Sequence, residues 1–230
     1  LFLISLGAIF MIGKVPQPPA QPDRHPMSRI VDGFAYVRNN RLVLAAITLD
    51  LFAVLLAGAT ALLPVFARDI LKVGADGLGV LAASMGIGAT ATALFFSIKP
   101  MKTEVGRNML LAVIIFGAAI LTFGLSQFYW LSVAALVVAG SADMVSVYVR
   151  QSLIQLHTPD AMRGRVGAVS QLTISASNEL GEAESGLLGA LLGPVGAVVF
   201  GSVGAILITL IWSRLFPELK SAKTFDPPES

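Results

Sequence analysis

The sequence predicts an all-α integral membrane protein, a bundle of six transmembrane helices, and three observations carry that prediction. Hydrophobic residues fill 55% of the 230 positions and charged residues only 13%, about half the charge of an ordinary soluble domain. Mean hydropathy is +0.79. The apolar residues are gathered into runs of roughly 20, the length of helix needed to cross ~30 Å of hydrocarbon. The same figures exclude a disordered tail. A net charge of +2 with scattered basic residues leaves no concentrated field for nucleic acid, and the absence of cysteine excludes disulfides, thiolate metal sites and cysteine nucleophiles.

Taken in order, Leu1–Gly13 is apolar but reaches only ~20 Å at ~1.5 Å per residue. It lacks the basic start and small-residue cleavage site of a signal peptide, and it reads as the end of a preceding transmembrane helix. Residues 14–41 form a cytoplasmic linker. Pro16, Pro18, Pro19, Pro22 and Pro26 favour extended chain there. Ser28 then caps a short amphipathic helix, with Ile30, Val31, Phe34 and Val37 on an apolar face and Arg29, Asp32 and Arg38 polar. Such a helix either lies along the inner membrane surface or packs, solvated, on neighbouring loops.

Residues 42–213 hold the six spans: Leu42–Ala67, Gly79–Ile98, Met109–Leu125, Phe128–Val149, Val166–Leu188 and Val195–Trp212. Positions 108–142 carry no charge, and as one helix they would extend ~52 Å, far beyond the bilayer. A tight hairpin at Ser126-Gln127 is expected instead, with Phe128, Tyr129 and Trp130 at headgroup level. Residues 214–230 are a cytoplasmic tail. With six crossings the sixteen Lys and Arg divide fourteen to two, Arg68 and Lys72 alone falling on the far side, so both ends are expected in the cytoplasm. Pro64 is expected to bend the first span near its outer end, while Ala82, Gly86 and Thr90, and separately Ala197, Gly201 and Ala205, have the spacing of close helix contacts.

An ionisable side chain near the centre of a span costs at least ~2.5 to 3.5 kcal/mol. Asp50, Asp143, Glu179, Glu182 and Glu184 all fall within the spans, and no lysine or arginine does. Either these acids find partners at helix ends or beyond this segment, or some carry a proton, the property a proton-coupling site needs. Gln171, Ser175, Asn178 and Glu182 follow i, i+4, i+7, i+11 spacing and share one helical face, with Glu179 beside it. A polar stripe at that depth turns toward the bundle interior or a water-filled cavity, or hydrogen-bonds neighbouring helices. Asp143 lies two turns before Arg150, and Asp50 nine residues after Arg41, spacings at which an arginine approaches only partly.

Other chemistries lack their parts. His25 and His157 are both in predicted loops without clustered ligands, and neither a phosphate-cradling G-x-x-x-x-G-K-[ST] nor a G-x-S-x-G elbow occurs. An intramembrane enzyme would have to rest on the Glu179 and Glu182 pair alone.

The loop Thr158-Pro159-Asp160-Ala161-Met162-Arg163-Gly164-Arg165-Val166 is similar to the P-x-x-x-R-G-R-V motif between the tenth and eleventh helices of enterobactin-exporter-like efflux permeases, a bacterial subfamily of the major facilitator superfamily. Ser177-Asn178-Glu179-Leu180-Gly181-Glu182 also resembles that subfamily's eleventh helix. The likeness covers essentially the whole chain as a C-terminal half, helices seven to twelve. Of the superfamily's G-x-x-x-D-[RK]-x-G-[RK]-[RK] loop, Lys99–Asn108 keeps only Gly106-Arg107 and basic flanks.

The resemblance implies a secondary active transporter of the bacterial inner membrane, exporting an amphipathic small molecule such as a siderophore or drug in exchange for protons. Its partners would be the lipid bilayer, the substrate, the N-terminal six-helix half of the same protein and the proton gradient; no cofactor, metal or nucleic acid is implied. Gln171, Ser175, Asn178, Glu179 and Glu182 would face the substrate cavity. Asp50, Asp143 and Glu182 would serve proton coupling or gating, and Arg163, Gly164 and Arg165 would form the cytoplasmic loop motif. The alternative is a non-transporting membrane scaffold whose acids only hydrogen-bond within the protein.

Overall fold

The computed structural model describes residues 26–225. The expected helix end at 1–13, the linker up to residue 25 and the last part of the tail, 226–230, lie outside the described residues. Every regular element among the described residues is helical. Helix α1 spans Pro26–Asn39, beginning two residues before the expected cap, Ser28. Asn40 then starts α2 (Arg41–Leu56), its side-chain oxygen accepting from the Val43 amide at 3.1 Å. A 3-10 turn (Ala59–Leu62), the single turn α3 (Leu63–Val65) and a wide helical turn (Phe66–Ile70) extend α2 into one apolar stretch. After it come α4 (Ala75–Ile98), α5 (Val105–Leu125), α6 (Tyr129–Leu156), α7 (Asp160–Leu215) and the short α8 (Pro217–Ser221).

Among the described residues five stretches are long and apolar enough to cross a membrane: Arg41–Ile70, α4, α5, α6 and α7. The 56 residues of α7 would measure ~84 Å if straight, nearly three bilayer thicknesses. They are not straight. Gly193 adopts φ 75°, ψ 163° just before Pro194, a backbone setting that glycine alone takes easily. The two arms fold back to antiparallel. A Cβ on Gly181, in the first arm, would sit 3.0 Å from the Leu55 carbonyl oxygen, and one on Gly201, in the second, would strike the Leu56 carbonyl oxygen. Glycines twenty residues apart thus meet neighbouring residues of α2. Trp212 in the second arm donates to the Thr48 hydroxyl at 3.0 Å and stacks edge-on with Phe52. The fifth stretch therefore supplies two membrane-length arms.

Hydrocarbon gives helices no hydrophobic reason to associate, so contact between them depends on small residues that let backbones approach. Gly201 serves in this way. Gly86 does not: a Cβ there meets nothing within 4 Å, and Ala82, Gly86 and Thr90 are all exposed. The close contact on α4 is made instead at Gly88, where an added Cβ would overlap the Val137 carbonyl of α6, two residues round the helix from the expected stripe. Pro64 does not bend the first span either. It sits in the first turn of α3, where no intrahelical bond is lost. The break comes at Ala57 and Gly58, where the Gly58 Cα position lies against the Gly181 backbone. The hairpin between α5 and α6 turns at Ser126, whose hydroxyl accepts from the Phe128 amide at 3.2 Å and donates to the Phe128 carbonyl at 3.0 Å. Phe128 and Trp130 are exposed beside it.

At the opposite, basic end, α8 and the residues after it close the bundle. Leu219 is fully buried against Val105 and Met109, and the Gly106 amide donates to the Ala222 carbonyl at 3.0 Å. Arg41 pairs with Glu218 at 2.9 Å. Helix α1 packs through Gly33 and Val37 on the start of α7 and leaves Ile30, Val31 and Phe34 exposed; Val37 thus parts from the apolar face expected for it.

Gly201→Val should lower the thermal stability of the detergent-solubilised protein by about 1–3 kcal/mol through overpacking, while Gly86→Val leaves the melting temperature unchanged or raised. Equal effects at the two glycines would contradict the assignment of the contact.

Candidate functional site

Three elements converge midway along the bundle. Where α2 breaks, Val54, Ala57, Gly58 and Thr60 present irregular backbone; α6 passes with Asp143; the first arm of α7 brings Asn178 and Glu182. With Met85 and Phe116 these residues line a cavity of about 140 Å³, room for several waters. Non-helical backbone at membrane depth is tolerated where it lines such a space.

The polar stripe of α7 is present as a surface. Gln171, Ser175, Asn178, Glu179 and Glu182 are all exposed on this chain. Asn178 and Glu182 meet Asp143 around the cavity, whereas Gln171, Ser175 and Glu179 lie outside its lining. Asp50 is not on the cavity either. It is 4% exposed and forms an ion pair with Arg150, itself 3% exposed.

Helix geometry places that pair. Asp50 lies seven residues before Ala57 on α2, and Arg150 seven residues after Asp143 on the oppositely running α6, so the pair sits ~10 Å toward the basic end from the cavity. Between them Ser146 occupies the same face of α6 as Asp143 and Arg150. The Ser146 hydroxyl and the Arg150 Nε are both buried without a hydrogen-bond partner among the described residues. A column of polar groups therefore runs from the cavity wall at Asp143 to the Asp50–Arg150 pair, and Asp143 interacts electrostatically with both of its members.

Arg150 is the residue that sequence reasoning misplaced. Ending the fourth span at Val149 put it in a loop, but α6 continues to Leu156 and Arg150 is buried inside it. The signal was there: Val149, Leu153 and Ile154 keep the apolar periodicity going beyond the arginine, and all three are buried.

The loop motif is built into a clasp. Arg165 donates to Asp32 of α1 at 3.1 Å, and the Tyr36 hydroxyl donates to the His157 carbonyl. Arg163 pairs with Asp160 at 2.8 Å and donates to the Gln155 carbonyl at 3.0 Å. Gly164 has open space beside it. Among the described residues no group of three or more His, Asp or Glu side chains could hold a metal ion.

A bundle of membrane-length helices, one broken and one folded into a hairpin around a midway cavity, has the all-helical architecture of one half-domain of the major facilitator superfamily fold. The chain belongs to the transmembrane secretion effector family of the major facilitator superfamily, whose family model matches residues 1–227. It is similar to the enterobactin exporter EntS of Escherichia coli O1:K1 / APEC, with 27% identity over 224 residues, covering 97% of this chain and 53% of the relative. The same figures hold for the enterobactin exporter EntS of Shigella boydii serotype 18 (strain CDC 3083-94 / BS512). The chain spans about half the length of the curated relatives it matches. No solved structure matches it.

Breaking a buried pair from one side strands a charge and costs about 3–5 kcal/mol, whereas replacing both partners by apolar residues is near neutral. Arg150→Met should therefore destabilise the full-length protein strongly in thermal unfolding, and Asp50→Leu added to it should restore most of the loss. In the clasp, Arg165→Ala should cost about 1–2 kcal/mol, and Arg163→Ala, which breaks an exposed contact, under about 1 kcal/mol; the reverse order would show that the two arginines have been assigned the wrong weights.

Proposed function

We propose that this chain is the C-terminal half of a secondary active transporter, exporting an amphipathic small molecule such as a siderophore or drug across a bacterial inner membrane in exchange for protons. The observation that carries the reading is the meeting of Asp143, Asn178 and Glu182 on one cavity of about 140 Å³ beside a broken helix. The relatives' name supports export.

The lining suits an amphipathic ligand. Val54, Met85 and Phe116 offer apolar surface, and the Asn178 amide can both donate and accept. The cavity is one wall of a passage; the exposed stripe from Gln171 to Glu182 supplies the rest of this half's share, facing an N-terminal six-helix half across the midplane. Asp143 and Glu182 both border that space.

Arg150 supplies the switch. It stands between two acids, paired with Asp50 and two turns from Asp143 on its own helix. With Asp143 protonated, Arg150 stays with Asp50 and locks α2 to α6. When Asp143 loses its proton, the arginine is drawn toward it, and the lock between the helices weakens. An element with two arrangements biased by one proton is the requirement for coupling. The clasp of Asp32, Arg165 and Tyr36 would hold the basic, cytoplasmic end during that movement. A scaffold role gains support from one feature, the complete burial of the Asp50–Arg150 pair, but it leaves the exposed Glu182 unexplained.

In full-length protein reconstituted into vesicles with an imposed pH gradient, Glu182→Gln and Asp143→Asn should each slow proton-driven efflux roughly tenfold or more, equivalent to about 1.4 kcal/mol of barrier. Unchanged transport in either variant removes that residue from the mechanism. A scaffold would show no substrate-protected labelling of a cysteine placed at position 182.

A further inference from the structure

A second feature lies on the other side of α6. Two crevices between α5 and α6, of about 350 and 490 Å³, share Ile115 and Val138 and so form one continuous groove. It runs from Thr122 and Leu131 to Met101 and Asn108. From Asn108 to Thr122 is ~21 Å of helix, deeper than one leaflet of a ~30 Å hydrocarbon core. The groove faces away from the candidate substrate cavity, because Val138, Ser141 and Val145 lie on the opposite side of α6 from Asp143.

Its shape and chemistry are uneven along its length. Alanines at 118, 119, 134 and 135 keep the floor low at the far end, while Leu111, Ile115, Leu131 and Val138 stand exposed along the sides. Polar side chains at the other end, among them Asn108 and Ser141, lead toward the loop between α4 and α5. That loop carries Lys99 and Lys102, and the first turn of α5 carries Arg107, all exposed, against one acid, Glu104. The bond from Gly106 to Ala222 docks the C-terminal segment beside it and adds Lys220 and Lys223. The one acid among the described residues of that segment, Glu218, is already paired with Arg41. None of the five basic residues is in an ion pair among the described residues.

An apolar trough that opens at one end onto net positive charge among the described residues fits a molecule with a long hydrocarbon chain and an anionic head. We propose that the α5–α6 groove binds one anionic phospholipid, its acyl chain along Ile115 and Val138 and its headgroup at Lys102 of the loop and Arg107 at the start of α5. Bound there, the lipid would splint α5 to α6 on the face opposite Asp143. The site is independent of which substrate is carried and of proton coupling.

Native mass spectrometry of the full-length protein, titrated with phosphatidylglycerol or with phosphatidylcholine of identical chains, tests the proposal. One phosphatidylglycerol should be retained about 25-fold more tightly, and Lys102→Gln with Arg107→Gln should remove that preference, about fivefold for each charge. Ala134→Phe, at an exposed position in the groove, should abolish retention of both lipids with the melting temperature unchanged. Should that variant fail to fold, Val138→Trp fills the same trough from a second exposed position. Equal retention of the two lipids, a charge variant with its preference intact, or a filled groove that still holds lipid would each overturn the proposal.

Discussion

Among the described residues Arg150 is the one buried cation, and it governs the arrangement of the polar groups around it. Inside hydrocarbon an arginine has no water to return to, and its guanidinium must find oxygen within the protein. Arg150 finds Asp50 on a different helix. That pairing fixes the register of α2 against α6, because moving either helix by one turn would strand both charges. From the register follows the height at which Asp143, two turns up α6, meets the break in α2, and hence the position of the cavity.

The break and the hairpin answer a different demand. In lipid the helices gain little from burying apolar side chains against one another, so tight backbone contact has to come from missing side chains. Gly58, Gly181 and Gly201 bring α2 and both arms of α7 to backbone distance. Gly193, in contrast, is used for its conformation and not for space, since nothing lies within 4 Å of it. Close approach at the crossing and reversal at the tip are separate uses of one residue type, and together they place two arms of α7 on one face of α2. Gly106 extends the first use to the basic end, where its lack of a side chain admits the Leu219 backbone and so seats α8.

Much of this was legible from sequence because the bilayer imposes a length rule. Runs of apolar residues, the turn at Ser126 and the polar face of residues 171–182 follow from hydropathy and a 3.6-residue period alone. Positions that depend on a neighbour were not legible. Pro64 looked like a bend because proline bends helices in general, but the chain had already broken at Gly58, against Gly181, more than a hundred residues away in sequence. Gly86 and Gly88 cannot be told apart by spacing, since only the placement of α6 decides which of them faces it. Arg150 was misplaced because a charged residue ordinarily marks the end of a span; its partner, Asp50, is a hundred residues earlier, beyond the reach of any local pattern. The apolar face assigned to α1 failed for the same reason: Gly33, which has no side chain to score, turned out to define the packed side.

The distribution of polarity around α6 separates two environments on a single helix. One side carries Asp143, Ser146 and Arg150, the other Val138, Ser141 and Val145, which are small or apolar and open onto the groove with α5. A helix lying in such a position experiences a polar column on one face and hydrocarbon on the other. On the proposed switch, a change in the charge of the column alters how firmly α6 is held by α2, while its contacts with α4 at Gly88 and Gly140, including the hydrogen bond from Ser141 to the Gly88 carbonyl, involve no charged group. Motion coupled to a proton would then begin at the contact of α2 with α6, because α5 is held to the second arm of α7 where Gly117 meets Ser202 and Ile206 and Gly124 meets Val198. The cavity lined by Asp143 and Glu182 lies beside that contact, so a shift there would alter the cavity directly.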